Sequence, residues 1–161
     1  MNRLLLLCAL LLACSLARAE GLNLPPETWG KDWTREDVWL SITTRSYHAN
    51  REAHFNERNW GLGIEYELAS EWCVIGGTFR NSVFRRSNYV GLHWTPLRFG
   101  NWRLGAIGGL VSGYPGYNYG WGPLAAPVLS WESGRFGANL IALPKIEEIA
   151  AVIALQVKIK F

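Results

Sequence analysis

The side chains that could do chemistry in this sequence are few, and they lie in two short polar stretches. His48 belongs to the first stretch, and Asn81 and Ser82 belong to the second. Acyl transfer from an ester needs a base that activates a hydroxyl, and donors that hold the developing oxyanion. An imidazole can act as this base near neutral pH. Ser82 could be a nucleophile or could position a substrate, and Asn81 could donate to an oxyanion. Residue types alone do not distinguish such a set from coincidence.

A carboxylate that could orient His48 is not obvious from the sequence. Beyond residue 37 the chain contains no aspartate, because Asp32 and Asp37 both come earlier. Glu52 and Glu57 lie near His48 in the chain, and either could take this role.

Arginines cluster around the same stretches. Guanidinium groups bind phosphate bidentately, so the cluster favours a phosphate-bearing ligand, with a solvated rim as the alternative. The arginines are Arg45, Arg58, Arg80, Arg85 and Arg86.

The elements that must position these residues are β-strands. Past residue 37, Val, Ile, Thr, Tyr, Trp and Gly dominate, and turn signals recur at short intervals. Tight connections alternate with mostly longer ones, and the strands are long enough to cross a membrane when tilted. These features predict an all-β fold, an eight-stranded antiparallel transmembrane β-barrel. The predicted strands are 38–48, 59–69, 72–82, 87–97, 101–112, 123–132, 135–143 and 149–161.

Aromatic residues are sorted by strand end, which is typical of two interfacial belts in a membrane barrel. A soluble sandwich with an aromatic core is the alternative. The belt predicted at the tight turns contains Trp39, Trp72, Trp94, Trp102, Trp131, Phe136 and Phe161. The belt predicted at the long loops contains Tyr47, Trp60, Phe79, Phe84, Tyr89 and Trp121.

Several strands are apolar on both faces, which is unusual for a pore. The segments 149–155 and 104–111 are examples, and the second contains three glycines. Small inward residues leave space inside an eight-stranded barrel, which can hold one small ligand. We therefore expect a narrow apolar cavity in the loop-side half, or alternatively a solid apolar core.

The first 19 residues predict a signal peptide: a basic start, an apolar run and the small-residue pattern Ala17-Arg18-Ala19. Cleavage at Cys14, followed by lipidation, is an alternative. Residues 20–37 would then form a periplasmic N-terminal segment, with a short interfacial helix or a loose tail over 28–38, and residues 38–161 would form the barrel.

Charge and cysteine content exclude other classes. Removing Arg3 and Arg18 from the 16 basic residues leaves 14 against 13 acidic ones, a net charge of about +1. This balance gives no basic stripe for nucleic acid. Only Cys73 remains after the signal region, so no internal disulfide can form.

Several segments resemble the outer-membrane lipid A palmitoyltransferase (PagP) family, from about residue 42 to the C-terminus. The most specific run is Phe55-Asn56-Glu57-Arg58-Asn59-Trp60-Gly61. Shorter matches occur at 47–49, 79–82, 123–127 and 143–144. Such enzymes hold an acyl chain inside the barrel and transfer it from a phospholipid to lipid A.

The resemblance implies roles for particular residues. His48 and Ser82 match the catalytic histidine and serine, whereas Asn81 stands where the family has an aspartate. Asn59 replaces a usual proline. His93 matches an interior glycine that sets acyl length, so an imidazole there would shorten or reshape the pocket. The prolines of a lateral gate match at Pro123, Pro127 and Pro144. The expected substrate-binding residues are Arg58, Arg80, Gly91 and His93.

The sequence therefore predicts a monomeric acyltransferase of the cell outer membrane with phospholipid and lipid A as partners. It predicts no nucleic-acid partner, cofactor or metal. The alternatives are a non-catalytic lipid-binding or adhesion-type barrel and a lipid A deacylase.

Overall fold

The computed structural model describes residues 38–50, 52–143 and 151–161. Within them, eight antiparallel strands form a closed barrel in which each strand pairs with its neighbours in the chain, and the first pairs with the last. The predicted all-β, eight-stranded barrel is therefore confirmed, and the sandwich alternative is wrong. The predicted signal peptide, Cys14, the N-terminal segment with its interfacial helix, and Pro144 lie outside the described residues.

The strands match the predicted ones to within about three residues at either end. They are β1 Val38–His48, β2 Arg58–Ala69, β3 Trp72–Arg80, β4 Arg86–Phe99, β5 Trp102–Ser112, β6 Trp121–Ser133, β7 Phe136–Leu143 and β8 Val152–Lys160. A single 3-10 turn, Pro115–Tyr117, lies between β5 and β6. No helix among the described residues is long and apolar enough to span a bilayer.

The connections define two ends of the barrel. The turn side carries the two-residue connections that follow β2, β4 and β6. Two of these turns contain glycines in the left-handed region, Gly100 with φ 60° and Gly134 with φ 56°, where a side chain would be strained. The loop side carries the longer connections 49–57, 81–85 and 113–120.

The outer surface is apolar over much of its height. Trp60, Leu62 and Ile64 alternate with inward residues along β2 and are each more than half exposed. Trp102 and Phe136 are exposed near the turn side, and Tyr47 and Trp121 near the loop side. An apolar band with aromatic residues toward both ends identifies a barrel of the outer-membrane type.

Three predicted belt residues lie inside the barrel instead. Trp39 is only 2% exposed, and the Lys158 ammonium lies 4.6 Å from the centre of its ring. Phe79 and Tyr89 line the interior, with ring centroids 6.0 Å apart. Their strand position suited a belt, but the alternation of side chains along each strand places them on the inner face.

The interior of the turn-side half is polar and filled. Lys158 Nζ lies 2.7 Å from Glu65 Oε2 and 2.8 Å from Glu132 Oε1, and Glu132 also pairs with Arg103 at 2.7 Å. Asn139 donates to Glu65 Oε1 at 2.6 Å. These charged groups can stay buried because each one lies beside a group of opposite charge. This network fills the turn-side half of the interior.

Candidate functional site

The loop-side half of the interior contains a cavity of about 520 Å³. This volume lies within the range of pockets that bind small molecules. Apolar side chains form most of the wall, as predicted, and the alternative of a solid apolar core is wrong. The apolar lining includes Phe55, Ile75, Phe79, Ile107, Val111, Leu124, Ile141, Leu143 and Val152.

Two glycines face each other where the backbones of β4 and β5 lie close together. Gly91 and Gly109 are cross-strand partners, and both line the cavity. A Cβ atom on Gly91 would lie 2.3 Å from the Gly108 carbonyl oxygen, and one on Gly109 would lie 2.2 Å from that of Val90. The close approach of the two backbones therefore requires glycine here. Because neither glycine has a side chain, the cavity is not narrowed at this point.

His48 is the last residue of β1, and it points inward at the loop-side mouth of the cavity. Its side chain is buried, and the Phe55 ring lies 4.7 Å from the imidazole between ring centroids. His48 Nδ1 lies 3.8 Å from Glu57 Oε1, which also accepts the His48 backbone N–H at 3.2 Å. Glu52 is exposed, and its backbone N–H bonds Asn50. Of the two candidate carboxylates, Glu57 is the one beside the histidine.

Ser82 also lines the cavity, so the structure brings it to the same chamber as His48. The predicted third strand was too long: β3 ends at Arg80, and Ser82 lies in the following turn. The Ser82 carbonyl accepts the Asn56 N–H at 2.9 Å, which ties this turn to the first loop. Tyr114, from the third loop, lies beside Ser82; burial raises the pKa of the tyrosine, and its polar interaction with Ser82 partly offsets the rise.

Asn81, predicted as an oxyanion donor, is hydrogen-bonded within the protein. Its side chain is completely buried, and its amide group donates to Ser87 Oγ and to the Gly113 carbonyl, both at 2.9 Å. Its Oδ1 accepts the N–H groups of Val83 at 3.0 Å and Arg85 at 2.9 Å. Both amide hydrogens therefore have partners within the protein, and in this arrangement neither points to a ligand in the cavity.

His93 lies at the floor of the cavity, where the apolar wall meets the polar network. Its Nδ1 is 3.7 Å from Glu65 Oε2, and its Nε2 is 3.3 Å from Ser130 Oγ. Gln156 and Asn139 complete this floor, and Gln156 donates to Thr43 Oγ1 at 3.1 Å. The cavity is therefore apolar along its length and polar at its inner end.

The strand ladder between β6 and β7 breaks off before the loop-side end of β7. Their ladder ends at the pair Val128–Ile141, although Ala142 and Leu143 still pair with β8. Pro127, next along β6, has no N–H to donate. Leu143 lines the cavity beside this break. Pro127 and Pro123 are both exposed on the outside, and the Pro123 carbonyl accepts the Tyr117 hydroxyl at 2.6 Å.

Arg58 and Arg80 are separate from the cavity. Both are exposed on the loop side. Arg80 belongs to an external groove, and its guanidinium carbon lies 5.5 Å from the centre of the Phe84 ring. These two arginines therefore cannot contact a ligand deep inside the barrel.

Two residues of the mouth were missed from the sequence. Phe55 and Tyr114 both line the cavity. Phe55 lies inside the run that resembles the acyltransferase family, so its position was a usable signal. Tyr114 belongs to a loop rich in glycine and tyrosine, where nothing in the pattern singles it out. No group of three or more His, Cys, Asp or Glu side chains in the described ranges could hold a metal ion.

Comparisons with known proteins add a structural similarity only. No protein-family model matches the chain, and no curated protein matches it in sequence. The N-terminal β-barrel domain of Pseudomonas aeruginosa OprF is similar in structure, with a TM-score of 0.46 and 12% sequence identity. The match covers 78% of this chain and 98% of that domain.

Proposed function

We propose that this protein is an outer-membrane acyltransferase that moves a fatty acyl chain from a glycerophospholipid to lipid A. One observation carries the proposal: an apolar cavity inside the barrel, closed at its inner end, has His48 and Ser82 at its open end. An acyl tail that fills this cavity would place its ester at the mouth, beside the groups that can act on it.

The chemistry follows from the residues at the mouth. His48 takes the proton of an attacking hydroxyl while the new C–O bond forms at the ester carbon. The intermediate then loses the lysophospholipid alkoxide, which receives the proton from the imidazolium. Glu57, 3.8 Å away, favours that charged form. The attacking hydroxyl belongs either to lipid A or to Ser82, in which case a second transfer releases the enzyme.

The surroundings support a membrane setting and lateral access. The apolar exterior suits the outer-membrane bilayer. The break between β6 and β7 offers an acyl chain a way from the bilayer into the cavity without crossing the loops. A closed barrel leaves no strand edge to pair with another chain, which favours a monomer.

A non-catalytic lipid-binding barrel is the second candidate, and Asn81 is the observation that favours it. The resemblance leads us to expect a polar group beside Ser82 that assists catalysis, yet this side chain is fully used in the loop. Such a barrel would bind a lipid in the same cavity and leave it unchanged.

Incubation of the purified barrel with labelled phospholipid and lipid A in detergent tests the proposal. Mass spectrometry should show lipid A gaining one acyl mass. His48→Ala should lower the rate by about 10²- to 10⁴-fold, since it removes the base. His54→Asn is the matched control, because His54 is exposed in the same loop and its φ of 48° suits asparagine.

Three outcomes would contradict the acyltransferase. If lipid A gains no mass while lipid still binds, the barrel is a binding protein. A loss of acyl mass would identify a deacylase. Equal rates for His48→Ala and the native protein would remove the histidine from the mechanism.

A further inference from the structure

The outside of the barrel has a groove that the proposed chemistry does not use. It has a volume of about 560 Å³ and lies at the loop-side end of β2, β3 and β4. Two arginines and two aromatic residues define it, and residues of β2 and β3 complete it. The outward side chains of the lining are Trp60, Leu62, Thr78, Arg80, Phe84 and Arg86, and Gly61 and Phe79 contribute to its wall.

The two arginines of the groove lie in an arrangement that is unfavourable when no anion is bound. Arg80 and Arg86 are direct cross-strand partners in the β3–β4 ladder. Like charges in that arrangement repel and destabilise the sheet. Among the described residues neither arginine is in an ion pair. A shared anion would remove the repulsion, and two guanidinium forks suit a phosphate group in particular.

The rest of the groove is apolar and faces the bilayer. Trp60 is 64% exposed and Leu62 is 57% exposed, and both point outward from β2. Leu62 lies farther from the loops than the arginines do. A ligand that matches the whole groove therefore has phosphate at the loop side and hydrocarbon toward the middle of the barrel wall.

We propose that this groove binds the phosphorylated headgroup of an outer-leaflet lipid, with its acyl chains along Trp60 and Leu62. The groove is distinct from the cavity, because the side chains of Arg80 and Trp60 lie on the outer face while His48 faces inward. One lipid can therefore occupy the outside while an acyl chain occupies the interior. The inference rests on the proposed function only in treating this outer lipid as the acyl acceptor.

Native mass spectrometry of the barrel in non-ionic detergent tests the site. The probes are phosphatidic acid, phosphatidylcholine with the same acyl chains, and inorganic phosphate. Phosphatidic acid should bind more tightly than phosphatidylcholine, because its phosphate has three free oxygens, a larger negative charge and no attached choline cation. Arg80→Gln and Arg86→Gln should each weaken this binding about tenfold, the size of a lost charged hydrogen bond. Arg85→Gln, in the same loop but outside the groove, should not.

Several results would overturn the site. Equal binding of the two lipids would exclude phosphate recognition, and an equal loss in Arg85→Gln would reduce the effect to net charge. Inorganic phosphate that binds as tightly as phosphatidic acid would exclude a lipid docking surface.

Two further measurements keep the outcome unambiguous. Without lipid, Arg86→Gln should unfold at the same or a higher denaturant concentration, because it relieves repulsion; a lower midpoint would contradict the argument. His48→Ala should bind phosphatidic acid normally. If it does so but the native protein transfers no acyl group, the acyltransferase fails and the outer site stands. If the native protein transfers acyl chains but binds phosphatidic acid no better than phosphatidylcholine, the outer site is excluded and the acyltransferase is not.

Discussion

At the scale of single residues, Asn81 shows how a position that resembles a catalytic one can be structural. Its amide nitrogen donates to Ser87 in β4 and to Gly113, the first residue after β5, while its oxygen closes the turn at 81–85. A carboxylate could accept the two turn N–H groups, but it could not donate to the Gly113 carbonyl. The choice of asparagine over aspartate therefore follows from the loop that surrounds it.

Asn81→Asp is accordingly expected to destabilise the protein. It removes two buried donations and places negative charge against a carbonyl oxygen, which should lower the free energy of unfolding by about 3 kcal/mol. Urea unfolding in detergent micelles measures this loss. Asn88→Asp, an exposed residue of β4, is the control and should change stability by less than about 0.5 kcal/mol. An unchanged midpoint for Asn81→Asp, together with lost acyl transfer, would instead support a catalytic Asn81.

His93 sets the depth of the cavity by its position on the floor. His93→Ala should lengthen the cavity and shift the preferred acyl chain toward greater length. Each added methylene that becomes buried is worth about 0.8 kcal/mol, or roughly fourfold in preference. Competition among phospholipids of graded chain length, followed by mass spectrometry of the products, measures the shift.

The control for this change keeps the volume of the side chain. His93→Gln can still bond Ser130 and should retain the native preference. If His93→Ala and the native protein choose the same chains, His93 does not determine acyl length.

At the scale of elements, the β6–β7 break decides how a lipid could reach the cavity. Strand β7 stays paired with β8 for two residues beyond its last pair with β6. Proline at 127 prevents one ladder bond on β6, so local separation there breaks fewer hydrogen bonds than elsewhere. A locally weakened strand pair can therefore exist within a closed barrel.

A disulfide across this gap should block access. Pro127→Cys with Ala142→Cys, in a Cys73→Ser background, joins the residues that would pair next if the ladder continued. We expect oxidation to reduce acyl transfer at least tenfold by closing the path, and a reductant to restore it. The control is Leu129→Cys with Leu140→Cys, a pair that already lies within the ladder. Full activity of the oxidised Pro127–Ala142 protein would exclude this route.

The strands were predictable because alternation, turn residues and length are local properties. Phe79 and Tyr89 were placed wrongly because their aromatic character outweighed their parity in the strand. The roles of Asn81 and Glu57 could not be read from the sequence, since they depend on contacts between separate loops. The cavity was predictable in outline from the small and apolar residues of 104–111 and 149–155, but its polar floor depends on side chains from several strands.

At the scale of the whole molecule, the barrel is divided into a filled half and an open half. Glu65, Lys158 and Glu132 occupy the turn side with their charges paired, so the cavity ends there. The loop-side half is less tightly packed and contains the cavity. We infer that the network holds the barrel together while the open half is available for a ligand.

Lys158 is the residue that tests this division. Lys158→Met leaves Glu65 and Glu132 without their shared cation, and breaking a buried pair in this way typically costs about 3–5 kcal/mol. Lys160→Met is the matched control on the same strand, since Lys160 and its partner Glu67 are partly exposed, with side-chain exposures of 26% and 20%. Its loss should be about 0–1 kcal/mol. Urea unfolding followed by tryptophan fluorescence compares the two variants. Equal losses would mean that the network is not what stabilises the closed half, and that the barrel resists unfolding mainly through its strand ladders.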